Sequence, residues 1–263
     1  MVIVGGMSDT GFRLLGPDEP PAVFEEGAQR RGGFLIAVDH AGARLPRRLG
    51  DLGLPKAELQ RHIAWDIGAL GVARRVAAAL DAPLIAQNYS RLAIDCNRDP
   101  AVAASIPVLS ETVPIPGNTT LSAQEIEARR SEIFWPYHRR LKGLLDARQA
   151  AGHATILVAQ HSMTDVFKGV ARPMHAAVLY NRDRRVAELM LAALRREPGL
   201  IVADNQPYFV SDATDYTIPV HGEARGLPHV ELEVRQDLIG DESGQQEWAR
   251  RIAAALVEAA RLL

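Results

Sequence analysis

The sequence predicts an α/β fold, a three-layer α/β/α sandwich around a mostly parallel or mixed sheet. Three observations predict it. Apolar runs without alternation, such as Phe34–Val38, suit strands buried on both faces. Segments with helical apolar spacing recur, as in residues 186–196 and 248–262. The two kinds alternate along the chain, as they do where helices cover a sheet. No repeat, low-complexity tract or linker divides residues 1–263, which therefore read as one domain.

Taken in order, residues 1–29 mix Gly, Pro and acidic side chains without a period and are expected to form an irregular arm. Phe34–Val38 is the first strand, and Asp39 and His40 follow at its carboxyl end, where open α/β sheets bind ligands. Residues 43–56, with Pro46 and Pro55, read as loop. The spacing of Leu59, Ile63, Ile67, Leu70 and Val76 predicts one helix over 57–80, with His62 and Asp66 on a shared face. Residues 83–86 and 91–95 read as short extended pieces. Residues 100–120 are long and without a period, which favours a substrate-side loop or a surface excursion.

Ser122 and Glu125 are spaced as a capping box for a helix reaching about residue 149, which Pro136 kinks or divides. Residues 154–159 predict a strand ending in Gln160-His161-Ser162. A strand over 176–180, a helix over 186–196, a short strand at 201–202 and a polar loop over 204–228 follow. His229–Arg235 alternates, placing Glu231, Glu233 and Arg235 on one side. The closing helix is expected to cover the sheet.

Composition narrows the function classes. The formal net charge is -2, with no basic face for nucleic acid. The apolar segment 63–80 is interrupted by Asp66, Arg74 and Arg75 and reads as a packed helix, not a membrane span. No terminal signal peptide is evident, so a cytoplasmic location is the expectation. Cys96 is the single cysteine, which excludes an internal disulfide and a cysteine-only metal site.

The chemistry-bearing residues are dispersed. His40 and His161 each follow an apolar strand, and with Asp66 they make a candidate zinc site of two imidazoles and a carboxylate. His62 and His221 are the competing ligands. Glu231 or Glu233, on the polar side of one strand, suits a general base; periodicity does not choose between them. Residues 89–99 are dense in directional donors: Arg91 or Arg98 suits a carboxylate through a planar fork, with Asn97 adding a donor. Arg172, Asn181 and Arg182 are weaker binding candidates. Cys96 is assigned to packing, because no adjacent histidine supports a nucleophilic pair.

Asp39-His40-Ala41-Gly42, residues 62–66, Ser90-Arg91 through Asn97-Arg98-Asp99, His161-Ser162 and Glu231-Leu232-Glu233 together resemble the N-formylglutamate amidohydrolase family, over about residues 34–248. Residues 204–221 and 226–238 resemble a predicted amidohydrolase branch of it, distinct from the histidine-degradation branch. The resemblance implies a zinc-exopeptidase-like fold and hydrolysis of N-formyl-L-glutamate, or a similar small acidic N-acyl amino acid, to formate and the free amino acid. It implies His40 and His161 as ligands of one Zn2+, Asn97 and Arg98 as carboxylate recognition, and Glu233 before Glu231 as proton shuttle. One departure stands out: related zinc carboxypeptidases carry His-x-x-Glu, whereas Ala43 lies three residues after His40, so Asp66 is expected as the oxygen ligand. The alternatives are a carboxypeptidase-like hydrolase of short peptides and a noncatalytic binding protein for an acidic metabolite.

Overall fold

A computed structural model describes residues 12–263. The strands of the central sheet are β1 (Val23–Glu26), β2 (Phe34–Val38), β3 (Leu84–Gln87), β4 (Ile156–Met163), β5 (Ala176–Leu179), β6 (Val202–Asp204) and β7 (His229–Arg235). They form one seven-stranded sheet in the order β1-β3-β2-β4-β7-β5-β6. β2, β3, β4 and β7 run parallel, while β1 and the β5–β6 pair run against them. The expected mixed α/β sheet is thus present.

Each face has its own helices. Alternation sends Phe34, Ile36 and Val38 of β2, with Val230, Leu232 and Val234 of β7, to one side. There they meet α1 (Ala69–Ala79), α4 (Arg185–Leu194) and α5 (Glu242–Leu262) through Val72, Val76, Met190, Trp248, Ile252 and Leu256. Leu35, Ala37, Leu157 and Ala159 face the other way, onto Tyr137, Leu141 and Leu144 of α3 (Trp135–Ala150). Glu231 and Glu233 share this second side, at the carboxyl ends of the parallel strands.

Several expected elements change on folding. Val23–Glu26, inside the arm expected over 1–29, is an edge strand antiparallel to β3; the first eleven residues of that arm lie outside the described residues. The helix expected over 57–80 is broken into a single turn at Lys56–Leu59 and α1, with turns over 60–68 between them. Gly68 starts α1 from φ 78°, and a Cβ there would lie 2.2 Å from the carbonyl oxygen of Ile239. Asp66 is thereby freed from a helix, and its N–H donates to the His40 carbonyl at 2.9 Å.

Residues 91–95 form turns and not a strand. Ser90 Oγ accepts the Leu92 N–H at 3.1 Å and Asp95 Oδ1 accepts the Asn97 N–H at 2.9 Å, local bonds that compete with a ladder. β4 runs on through His161, so that histidine lies within the strand and not past its end. The capping box is formed: Glu125 N–H donates to Ser122 Oγ and Ser122 N–H to Glu125 Oε2 at the start of α2 (Ala123–Arg129). A π-helical turn over Arg130–Phe134 joins α2 to α3, with Pro136 in the first turn of α3. No helix of the described residues is long and apolar enough to cross a membrane.

Two buried histidines close the second face. His138 and His221 stack with ring centroids 5.2 Å apart, and His138 Nε2 meets the Cys96 carbonyl at 2.7 Å. Burial pulls His138 down to about 4 and His221 to about 3, so both are neutral near pH 7. A depressed folded pKa means the unfolded chain binds more protons below about 6.5, so this contribution to stability is present above that pH and lost as pH falls toward 4. Between pH 7 and 5 the wild type should therefore lose about 2 kcal/mol more unfolding free energy than His138→Gln. Denaturant titrations of both proteins at the two pH values measure this, and parallel losses would reject it.

Candidate metal centre and substrate pocket

The break before α1, the end of β2 and the end of β4 bring three distant residues together. Asp66 Oδ2 lies 2.9 Å from His161 Nδ1 and 3.5 Å from His40 Nδ1. The ligand-type atoms of His40, Asp66 and His161 all fall within 4.8 Å of one another, and all three residues are buried. His40 Nε2 meets Asp95 Oδ1 at 2.7 Å, and Asp95 Oδ2 accepts from Arg91 Nη2 at 2.6 Å. His161 Nε2 faces Asp39 Oδ2 at 3.6 Å and Glu231 Oε2 at 3.9 Å.

These residues fit a divalent ion. Burial disfavours charge on both rings, yet the carboxylates win: Asp95 and Asp66 raise His40 against burial and Arg91, and Glu231, Asp39 and Asp66 raise His161 well above its ordinary value. The carboxylates therefore favour positive charge at this spot, which a dication would supply. His40 Nδ1, His161 Nε2, Asp39 Oδ2, Glu231 Oε2 and Glu233 Oε2 are buried without a hydrogen-bond partner among the described residues. Two imidazoles and a carboxylate are a donor set that zinc takes, and Asp95 behind His40 is the carboxylate–histidine arrangement that orients a ligand ring.

The competing histidines go elsewhere. His62 Nε2 lies 3.6 Å from Glu111, and His221 pairs with His138. Asn181 and Arg182 bind Asp212 and Glu223 in a network apart from the pocket. Cys96 is buried, and burial pushes its thiol well above the ordinary range, in keeping with packing.

A cavity of about 390 Å³ opens over the cluster, lined by His40, Asp66, Arg91, Asn97, Arg98, His161, Glu231 and Glu233 among others. β7 is central, so Glu231 and Glu233 are 4% and 8% exposed and do not form the solvent face of an edge strand. Burial, the largest cause, pushes Glu231 up to about 8 and Glu233 up to about 7. Glu231 is level with Ala159 and Ala37, small neighbours that leave it room, while Glu233 is level with His161.

The candidate donors divide. Arg91 is held by Asp95 and lies 3.6 Å from Asp66 Oδ1, so it braces the two carboxylates beside His40. Asn97 Oδ1 accepts the N–H groups of Tyr216 and Thr217 at 3.0 Å, and its Nδ2 donates to Asp215. That amide pins the 215–217 segment, and Thr217 Oγ1 in turn donates to Asp39. Arg98 lines the pocket with only Nη1 engaged among the described residues, toward the Asn97 carbonyl and, at 3.5 Å, Asp215. Arg172 lies outside the cavity lining, behind Tyr208.

Sequence reading placed Asp39 at a ligand-binding strand end without a specific role, and gave none to Asp95, Glu111 or Thr217. The local signals were the place of Asp39 beside His40 at a strand end and the spacing of Arg91 and Asp95, four residues apart; Glu111 and Thr217 meet the site through folding alone.

Comparison with known proteins agrees with this architecture. No curated protein matches the chain in sequence. Among solved structures, the gene product Atu2144 from Agrobacterium tumefaciens is 37% identical, with a TM-score of 0.92 over 95% of this chain and 99% of that one. The N-formylglutamate amidohydrolase from Ralstonia eutropha JMP134 is 20% identical, with a TM-score of 0.67 over 92% of this chain and 98% of that one, a likeness of fold. The family model described as N-formylglutamate amidohydrolase matches residues 32–240, a span that holds every member of the buried His-Asp-His cluster and both glutamates of β7. By that match the chain belongs to the N-formylglutamate amidohydrolase family.

Proposed function

We propose that the protein is a zinc-dependent amidohydrolase that cleaves the amide bond of a small N-acyl amino acid, N-formyl-L-glutamate being the substrate the family description names. The observation that carries this reading is the convergence of His40, Asp66 and His161 beneath a cavity lined by Glu231, Glu233 and Arg98. Bound by those three residues, zinc would supply Lewis acidity, easing ionisation of water and polarising the acyl oxygen.

The chain's own groups do the rest. Arg98 pairs the unengaged part of its guanidinium with the substrate's α-carboxylate and sets the acyl group over the carboxyl ends of β4 and β7. Glu233 accepts a proton from the attacking water as the carbon–oxygen bond forms. It then gives that proton to the amide nitrogen as the carbon–nitrogen bond breaks, so that a neutral amine leaves together with formate. Burial pushes Glu233 up to about 7, which suits a group that takes and returns a proton at neutral pH. Asp95 and Arg91 hold the His40 ring, and Asp39, anchored by Thr217, faces His161.

Zinc loading of metal-stripped protein should restore formate release from an N-formyl amino acid, and zinc should appear at one ion per chain. Arg98→Lys keeps the charge and loses the planar fork, so it should raise KM about tenfold with less change in kcat. Equal discrimination by wild type and Arg98→Lys between an N-formyl amino acid and its decarboxylated analogue would remove Arg98 from this role. Peptide cleavage without formate release would favour a carboxypeptidase-like enzyme, and ligand binding without metal-restored turnover a binding protein.

A further inference from the structure

Most cations around the pocket are already engaged. Arg61 pairs with Glu58 and Glu111, and His62 Nε2 lies against Glu111 at 3.6 Å. Arg91 is held by Asp95 and Asp66. Arg98 alone, among the described residues lining the cavity, is an arginine with most of its fork unengaged. The same cavity is lined by five carboxylates: Asp66, Glu111, Asp215, Glu231 and Glu233. A substrate's first carboxylate therefore has a partner. A second would shed its hydration beside Glu111 and Asp215, and no further unengaged arginine lines the cavity among the described residues to receive it.

The outer wall is of another kind. Phe167, Pro207, Tyr208 and Phe209 line the cavity, with Ile63 and Met163 further in. Tyr208 is 39% exposed and Phe209 63% exposed, apolar surface grouped at the mouth of a polar site. Arg172 fixes these rings from behind: its guanidinium lies 5.0 Å from the Phe167 centroid and 4.8 Å from that of Tyr208. It also donates to Tyr208 Oη and to the Thr164 carbonyl, and it lines the neighbouring groove instead of the cavity. Its charge serves the aromatic wall, which is held in place before any substrate arrives.

We propose that the amino acid this enzyme releases carries an apolar or aromatic side chain, packed against Phe167, Tyr208 and Phe209, and a single carboxylate, paired with Arg98. The proposal rests on the amidohydrolase reading of the same site and narrows its substrate class from small N-acyl amino acids in general to those with an apolar side chain. Burying an aromatic side chain on that wall removes apolar surface from water on both partners, whereas a carboxylate gains nothing there.

Zinc-loaded protein should be assayed for formate release from N-formyl-L-phenylalanine, N-formyl-L-leucine and N-formyl-L-glutamate. The expected result is a kcat/KM for the phenylalanine substrate about tenfold or more above that for the glutamate substrate. Phe209→Ser, at an exposed position, should cut that ratio several-fold, chiefly by raising KM for N-formyl-L-phenylalanine. Fastest release from N-formyl-L-glutamate would overturn the proposal and leave the amidohydrolase reading standing. An unchanged ratio in both Phe209→Ser and Tyr208→Ser would also overturn it, and no formate from any of the three substrates would overturn both.

Discussion

Glu233→Gln should keep zinc at one ion per chain while formate release falls by about 10²–10⁴-fold, the range for loss of a positioned general base. Glutamine preserves the size of the side chain and a hydrogen-bonding end but takes no proton at neutral pH. Glu233 is the stronger candidate because it stands level with His161 on the adjoining strand and its Oε2 has no hydrogen-bond partner among the described residues. Glu231 Oε2 also lacks a hydrogen bond, but it lies 3.9 Å from His161 Nε2, on the ring edge away from Asp66. Glu231→Gln should therefore act by loosening the His161 ring, with weakened zinc affinity as its main symptom. Metal content and formate release measured on the same samples separate the two. Near-normal turnover in zinc-loaded Glu233→Gln, with turnover lost in Glu231→Gln, would move the proton-transfer role to Glu231.

Asp66→Ala should abolish stoichiometric zinc binding and also destabilise the metal-free protein by about 3–5 kcal/mol, because it removes the shared partner of several buried groups. Asp66 Oδ2 lies 2.9 Å from His161 Nδ1 and 3.5 Å from His40 Nδ1, and accepts the Ser162 N–H at 3.3 Å; Arg91 lies 3.6 Å from Oδ1. Without it, two imidazoles and the Arg91 guanidinium are left in a buried site without the carboxylate they share. The carboxyl group is held far below its ordinary range; although burial opposes its charge, His40 and His161 outweigh that opposition. Denaturant unfolding in chelator gives the stability change, and metal analysis after zinc loading gives the stoichiometry. Full zinc occupancy in Asp66→Ala would show that another oxygen ligand holds the ion.

Much of this molecule is determined by its sequence alone. Unbroken apolar runs in β2 and β4 require cover on both sides, and the alternation in β7 sends Glu231 and Glu233 to one face wherever the strand lies. Ser122 and Glu125 start a helix through bonds that span three residues, and such local chemistry is legible in one dimension. His40, Asp66 and His161 could be named as candidates because few residue types ligate zinc and each lay near an expected element.

Tertiary structure decided the rest, since the deciding contacts join residues far apart in the chain. Apolar spacing over 57–80 favoured one helix, but Gly68 packed on the Ile239 carbonyl breaks it and turns Asp66 toward His40. β7 became a central strand only by pairing with β4 on one side and β5 on the other, which converted a pair of surface-like glutamates into buried ones with raised pKa values. Asn97 was legible as a donor, yet its partners are Asp215, Tyr216 and Thr217, well over a hundred residues away. Arg172 likewise became a brace for Phe167 and Tyr208 only when their loops met. Which polar groups remain free for a ligand depends on which the fold has already paired, and that accounting exists only in three dimensions.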